Sequence, residues 1–99
     1  MKAYLIGFSS RDTKNLMWID EYMSLAPDIL KKYNAEVLMT GKPEIITQGT
    51  DWERVTVIQF PSKDKLKNFH KDAEYLNLKI LRIKNTVGEM YFLYDDYIN

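Results

Sequence analysis

Two stretches of the chain repeat one apolar rhythm, and that repetition limits the fold more than any other feature. Leu16, Ile19, Met23, Ala26, Leu30 and Tyr33 stand at 3-4-3-4-3 spacing, and Leu66, Phe69, Ala73, Leu76, Ile80 and Ile83 repeat it. Each set is one face of an α-helix. Pro27 interrupts the first set, so a kink or restart is expected near Leu25-Ala26. Asp12 or Thr13 is placed to cap the first helix and Asn34 to stop it in a left-handed conformation. Ser62 is placed to cap the second, with Asp72 as a re-capping residue at a short break inside it.

Between and around these helices lie short β-branched and aromatic runs. Lys2–Phe8, Glu36–Thr40, Arg54–Phe60 and Glu89–Tyr94 read as four strands, bounded by Gly, Pro, Ser and Asp clusters. Glu44–Thr47 reads as a short extended piece continuing the second strand after Gly41-Lys42-Pro43, and Gln48-Gly49-Thr50-Asp51 as a turn. The order is β-α-β-β-α-β, the split-βαβ arrangement of ferredoxin-like α+β domains, with a four-stranded antiparallel sheet and helices on one face. Ninety-nine residues hold one such domain, spanning 1–99, with 95–99 as a tail that is flexible or associated with a dimer.

The strands do not alternate as a half-solvated sheet should. Tyr4, Leu5, Ile6 and Phe8 put bulk on both faces of the first, and Met90, Tyr91, Phe92, Leu93 and Tyr94 do so on the fourth. Two helices cover only one face, so the other leaves an apolar, tyrosine-rich patch for a second copy of the chain. A homodimer through the open sheet face is therefore expected.

Composition narrows the function classes. Fourteen basic residues balance fourteen acidic ones, which gives no net field to recruit nucleic acid or an anionic membrane. The third strand also lacks the glycine and aromatic pattern of an RNA-recognition domain. No cysteine is present, which removes thiolate metal sites and a cysteine nucleophile. Lys2 and the apolar run to Phe8 are too short for a signal core, and no apolar run approaches the ~20 residues of a membrane span. A cytoplasmic protein is expected. G-x-x-x-x-G-K-[ST], G-x-G-x-x-G and G-x-S-x-G are all absent, and no cofactor is indicated.

Five side chains are candidates for chemistry. His70, the one histidine, flanks the second stripe and is a tentative general acid–base; the alternative is a boundary histidine packed on its ring face. His70 and Glu74 stand at i, i+4, but two ligands without a third do not make a metal site. Arg54 offers a planar fork to a carboxylate or phosphate; the alternative is a strand-edge arginine paired with Asp51 or Glu44, beside Trp52 as a lid on the core edge. Tyr22, Tyr75 and Arg82 complete a set of polar groups for an otherwise apolar pocket. From Ser62 to Asn85 seven Lys or Arg face three acidic residues, and the lysines fall off the stripe as a solvated face does.

Tyr4, Leu25-Ala26-Pro27, Lys32-Tyr33, Gly41, Gly49, Asp51-Trp52-Glu53-Arg54, Val57-Ile58-Gln59-Phe60-Pro61-Ser62, Glu74-Tyr75 and Arg82 together resemble a family of small bacterial proteins called domain of unknown function 1330. The stretch from Asp51 to Ser62 is the most specific part. The chain departs from the family pattern at several places. Asn34-Ala35 stands where a double glycine is usual, Thr40 where an arginine is common, Phe69-His70 where an aromatic pair is common, and Asp72-Ala73 where a Ser-Pro is common. The missing arginine puts in doubt any anion contact it makes in relatives. The resemblance implies a dimeric α+β barrel with two sheets facing each other. It also implies a small organic molecule in a cavity between sheet and helices, as in related barrels, whose activities include oxygenation of aromatics and isomerisation of lactones. By analogy with them, the chain binds or transforms a carboxylated or phenolic molecule; the alternative is a non-catalytic dimeric structural or interaction protein whose core fills itself.

Overall fold

A computed structural model describes residues 1–11 and 17–95. The elements are β1 (Ala3–Arg11), α1 (Trp18–Lys32), β2 (Glu36–Gly41), β3 (Arg54–Phe60), α2 (Lys63–Lys71), α3 (Ala73–Lys84) and β4 (Thr86–Asp95). One sheet has the order β2-β3-β1-β4, and the pairs β1·β3, β1·β4 and β2·β3 are all antiparallel. Each helical connection thus returns the chain to a strand parallel to the one it left, with one strand between, which is the split-βαβ topology. The fold is the expected ferredoxin-like α+β arrangement.

Alternation along β1 separates the two faces. Ala3 and Leu5 are buried under the helices, while Tyr4, Ile6 and Phe8 are half-buried on the opposite face. The core joins Ala3, Leu5, Ile29, Phe60, Leu66, Phe69, Tyr75 and Leu78. Phe69 is its hub, with ring centroids 5.3 Å from Phe60, 4.0 Å from Tyr75 and 6.0 Å from Tyr33. On the open face the register sets Tyr4, Ile6 and Phe8 beside Gln59, Val57 and Val55, and Met39 beside Val57.

Asn34 stops α1 as expected. Its φ is 53°, and the Ala35 and Asn34 amides donate to the carbonyls of Leu30 and Lys31 at 3.0 and 3.1 Å. This is the paired closure of a Schellman motif. Asparagine is the residue other than glycine that tolerates the left-handed region best, so Asn34 can close this turn without a glycine.

The second half departs from the expected stripe. Helices α2 and α3 are separate, and Asp72, with φ −61° and ψ 130°, lies between them. Leu66 and Phe69 are buried as the spacing predicts, but beyond the break the buried line is Tyr75, Leu78 and Arg82. Leu76, Ile80 and Ile83 are exposed. One non-helical residue resets the angular phase, so a period counted across it names the wrong face. Asp72 caps α3 by accepting from the Tyr75 amide at 3.0 Å, and Ser62 caps α2 by accepting from Lys65 at 3.2 Å.

Other boundaries differ as well. α1 runs unbroken through Pro27, with no restart at Leu25-Ala26. The missing proline amide would have bonded to the Met23 carbonyl, and Met23 is exposed, so water can serve that carbonyl. The α1 N-cap is Met17, without a side-chain bond; Asp12, Thr13 and Leu16 lie outside the described residues. Glu44–Thr47 joins no strand, and β4 begins at Thr86, three residues earlier than the aromatic run suggests. Among the described residues no helix is long and apolar enough to cross a membrane.

A polar clamp ties the end of α1 to the α2–α3 junction. The Tyr33 hydroxyl donates to Asp72 at 2.5 Å, and Lys32 pairs with Asp72 at 2.9 Å and Glu74 at 3.0 Å. The hydrogen bond from Tyr33, then that from Lys32, holds the Asp72 carboxyl well below the usual carboxylate range. A depressed native pKa makes a contribution that is complete above the unfolded value of 3.8 and is lost as pH falls toward the native one. Urea midpoints measured from pH 6 down to 2 are therefore expected to fall more steeply for the native protein than for Asp72→Asn, which keeps a capping side chain but does not titrate. Parallel curves would refute this.

Candidate functional site

Beyond the Phe60–Ala3 pair, three cross-strand rows follow along the inner face of the sheet. Val37, Ile58, Leu5 and Leu93 form an apolar row; Thr40, Thr56, Gly7 and Tyr91 form the next; Arg54, Ser9 and Glu89 form the third. Helix α1 lies over them through Trp18, Tyr22, Ala26 and Leu30. The space left is a cavity of ≈ 380 Å³, lined by residues from the sheet, α1, and Phe69, Tyr75 and Arg82. Its walls are mostly apolar, and the polar groups gather on the second and third rows.

Arg82 is the centre of that polar end. It is 7% exposed, although it sits on the buried line of α3 where an apolar residue would be usual. Its charge is met by Glu89 in a forked pair, Nε to Oε2 at 3.0 Å and Nη2 to Oε1 at 3.3 Å. Nη1 donates to the hydroxyls of Tyr22 at 3.2 Å and Tyr75 at 3.1 Å. The guanidinium carbon lies 4.6 Å from the Tyr91 ring centroid, a cation–π contact. A buried arginine is tolerable only when its donors and charge are satisfied in this way. Burial holds the Tyr75 and Tyr91 phenols above their ordinary value, so both keep their protons at neutral pH.

Gly7 makes room for this group. It stands opposite Tyr91 in the register, and a Cβ there would lie 2.8 Å from ring atoms Cδ1 and Cζ of Tyr91. The ring covers the bare backbone of β1 and presents its face to Arg82.

Arg54 enters the same cavity from β3. In the third row Ser9 separates it from Glu89, so their backbones are two strand spacings apart, roughly 10 Å. Its Nη1 donates to the Thr40 hydroxyl at 2.9 Å, and Thr40 and Thr56 hydroxyls are 3.0 Å apart. The expected pairing with Asp51 or Glu44 does not form, and among the described residues no carboxylate faces Arg54. Asp51 instead approaches Lys42 at 3.9 Å. Trp52 is no lid on the core edge: it packs on Phe8 at 6.2 Å, on the open face of the sheet.

The structure thus brings Tyr22, Tyr75, Arg82 and Arg54 to one cavity. His70 is not among its lining residues. The imidazole is half-buried beside Tyr75, ring centroids 5.8 Å apart, and burial, then Lys79 and Arg82, hold it below the usual histidine range. An acid–base role on a molecule in the cavity has no geometric support at this position. Among the described residues no group of acidic and histidine side chains could hold a metal ion. Glu89, Tyr91, Trp18 and Gly7 are the members that sequence reasoning missed. Glu89 had one signal, a lone acid in the apolar run from Val87 to Tyr94.

Solved structures share this architecture. A protein of unknown function from Rhodopseudomonas palustris superposes with a TM-score of 0.77 at 11% identity, covering 99% of this chain and 84% of that one. A hydroxynitrile lyase from Passiflora edulis gives 0.74 at 11% identity, covering 99% and 97%. A dimeric ferredoxin-like protein of unknown function from Thermobifida fusca gives 0.61 at 10% identity, covering 95% and 90%. Identities this low speak for the fold alone. No curated protein matches the chain in sequence. A family model, Domain of unknown function (DUF1330), matches residues 2–95, nearly the whole domain that carries the sheet, the helices and the cavity. The chain belongs to the DUF1330 family.

Proposed function

We propose that the protein binds a small aromatic acid or phenol in the cavity between sheet and helices, without a cofactor. The observation that carries this reading is a mostly apolar space of ≈ 380 Å³ into which Arg54 brings a cation that no described carboxylate neutralises. Ligand sites run from about 300 to 1,000 Å³ and combine apolar walls with a few placed polar groups. The cavity lies at the small end of that range, which suits one ring and its substituents. Its volume also speaks against the alternative of a self-filled, non-catalytic core. The fold is shared with a hydroxynitrile lyase, but fold does not assign an activity.

Arg54 serves as the carboxylate anchor, with Thr40, Thr56 and Ser9 as neighbouring hydroxyls. Arg54→Ala is expected to weaken benzoate-type ligands about tenfold, the loss of one charge-assisted hydrogen-bond pair, and to leave neutral phenols unaffected. Isothermal titration with a panel of substituted benzoates and phenols measures both. Equal affinities in the native protein and the variant would remove Arg54 from the site.

We also infer that two copies pair through the open sheet face. Tyr4, Ile6, Phe8, Met39, Val55 and Val57 line it, no helix among the described residues covers it, and a neighbour of the same fold is dimeric. Apolar faces of this extent are rarely left to water. Val57→Lys, in the middle of the patch, is expected to convert a dimer into a monomer in light scattering at micromolar concentration. A native protein that is already monomeric there would sink the inference.

A further inference from the structure

We propose that Tyr22 and Tyr75 form a recognition site for a carbonyl or ring-hydroxyl oxygen, so that the ligand is an aromatic carboxylate with such an oxygen across the ring. This rests on the cavity reading above and adds to it the identity of the ligand's second polar group.

Arg82 is a poor partner for that group. Glu89 engages Nε and one hydrogen of Nη2, and two phenol oxygens engage Nη1, so four of the five guanidinium hydrogens are already placed. An incoming carboxylate would also meet the negative charge of Glu89. The anion therefore belongs at Arg54, on the β3 side, and a different chemistry belongs at the β4 side.

What the β4 side offers is donors. A phenol that accepts from Arg82 still holds its own O–H, and accepting from a cation makes that O–H a stronger donor. Neither the Tyr22 nor the Tyr75 hydroxyl has an acceptor among the described residues. Two donors without acceptors at one end of an apolar space call for an oxygen with lone pairs, and a carbonyl oxygen accepts two such bonds at once. Arg54 on β3 and Glu89, which holds Arg82, on β4 stand about 10 Å apart, and side chains reaching inward leave a gap that one ring bridges.

Titration calorimetry with 4-acetylbenzoate and 4-ethylbenzoate tests this, because the two differ only in the acceptor oxygen. The native protein is expected to prefer 4-acetylbenzoate at least tenfold. Tyr22→Phe and Tyr75→Phe, singly and together, reduce that preference toward parity, read as the ratio of the two affinities within each variant. These variants keep a ring at each buried position, and circular dichroism checks their folding. The carbonyl ¹³C resonance of 4-acetylbenzoate moves downfield on binding the native protein, a readout that needs no variant. Equal affinities and an unmoved resonance would overturn the recognition site and leave the cavity reading standing. If neither benzoate binds, the cavity reading falls and this inference with it.

Discussion

Glu89→Ala is expected to destabilise the protein by about 3 kcal/mol or more, the usual loss when one partner of a buried ion pair is removed. Arg82 has an 8% exposed side chain, and Glu89 supplies its only counter-charge among the described contacts. Without Glu89 the guanidinium keeps its charge, because arginine does not deprotonate in a protein, and little of it reaches water. The cost is that of the orphaned cation, more than of the lost bond. Glu89→Ala/Arg82→Met separates the two, since it removes the charge and keeps the volume. The double variant should recover most of the loss, and urea denaturation of all four proteins closes the cycle. A double variant no more stable than Glu89→Ala would show that the pair is not what Glu89 stabilises.

Gly7→Ala is the second large effect. The added methyl overlaps the Tyr91 ring, and the ring cannot retreat without leaving Arg82. Overpacking of this kind costs roughly 1–3 kcal/mol. Each kcal/mol corresponds to roughly 4–8 °C of melting temperature in a domain of this size. In a Tyr91→Leu background the same substitution is expected to cost little, because the ring it meets is gone. Equal costs in both backgrounds would place the strain elsewhere. Ligand affinity should fall alongside stability, since the ring lines the cavity wall.

Glu89 and Gly7 are residues that a reading of the sequence passes over. Gly7 looks like a flaw in a strand until Tyr91 is seen across from it. Arg82 reads as a polar group of a pocket, but the stripe is read through Leu76, Ile80 and Ile83, and the structure puts Arg82 on the buried line and those three outside it. The error has one source. Helical periodicity is a local property of an unbroken helix, and Asp72 ends one helix and begins another. The cap at Asp72 was legible; the rotation it imposes on α3 was not. His70 was similarly attractive for its intrinsic pKa, a property of the side chain, whereas access to the cavity depends on packing and went to Phe69.

Local physics in the sequence determined the elements and their order: β-branched runs made strands, Ser62, Asp72 and Asn34 bounded helices, and apolar residues on both sides of β1 required cover on both faces. These depend on neighbours within a few residues. Which strand lies beside which residue, and which helix face turns inward after a break, depend on contacts between segments remote in the chain. Only the tertiary structure decided that Arg82 meets Glu89, Tyr22 and Tyr75, that Gly7 admits Tyr91, and that Arg54 faces the same space without a carboxylate partner. A site is a set of long-range distances, and no local pattern encodes them.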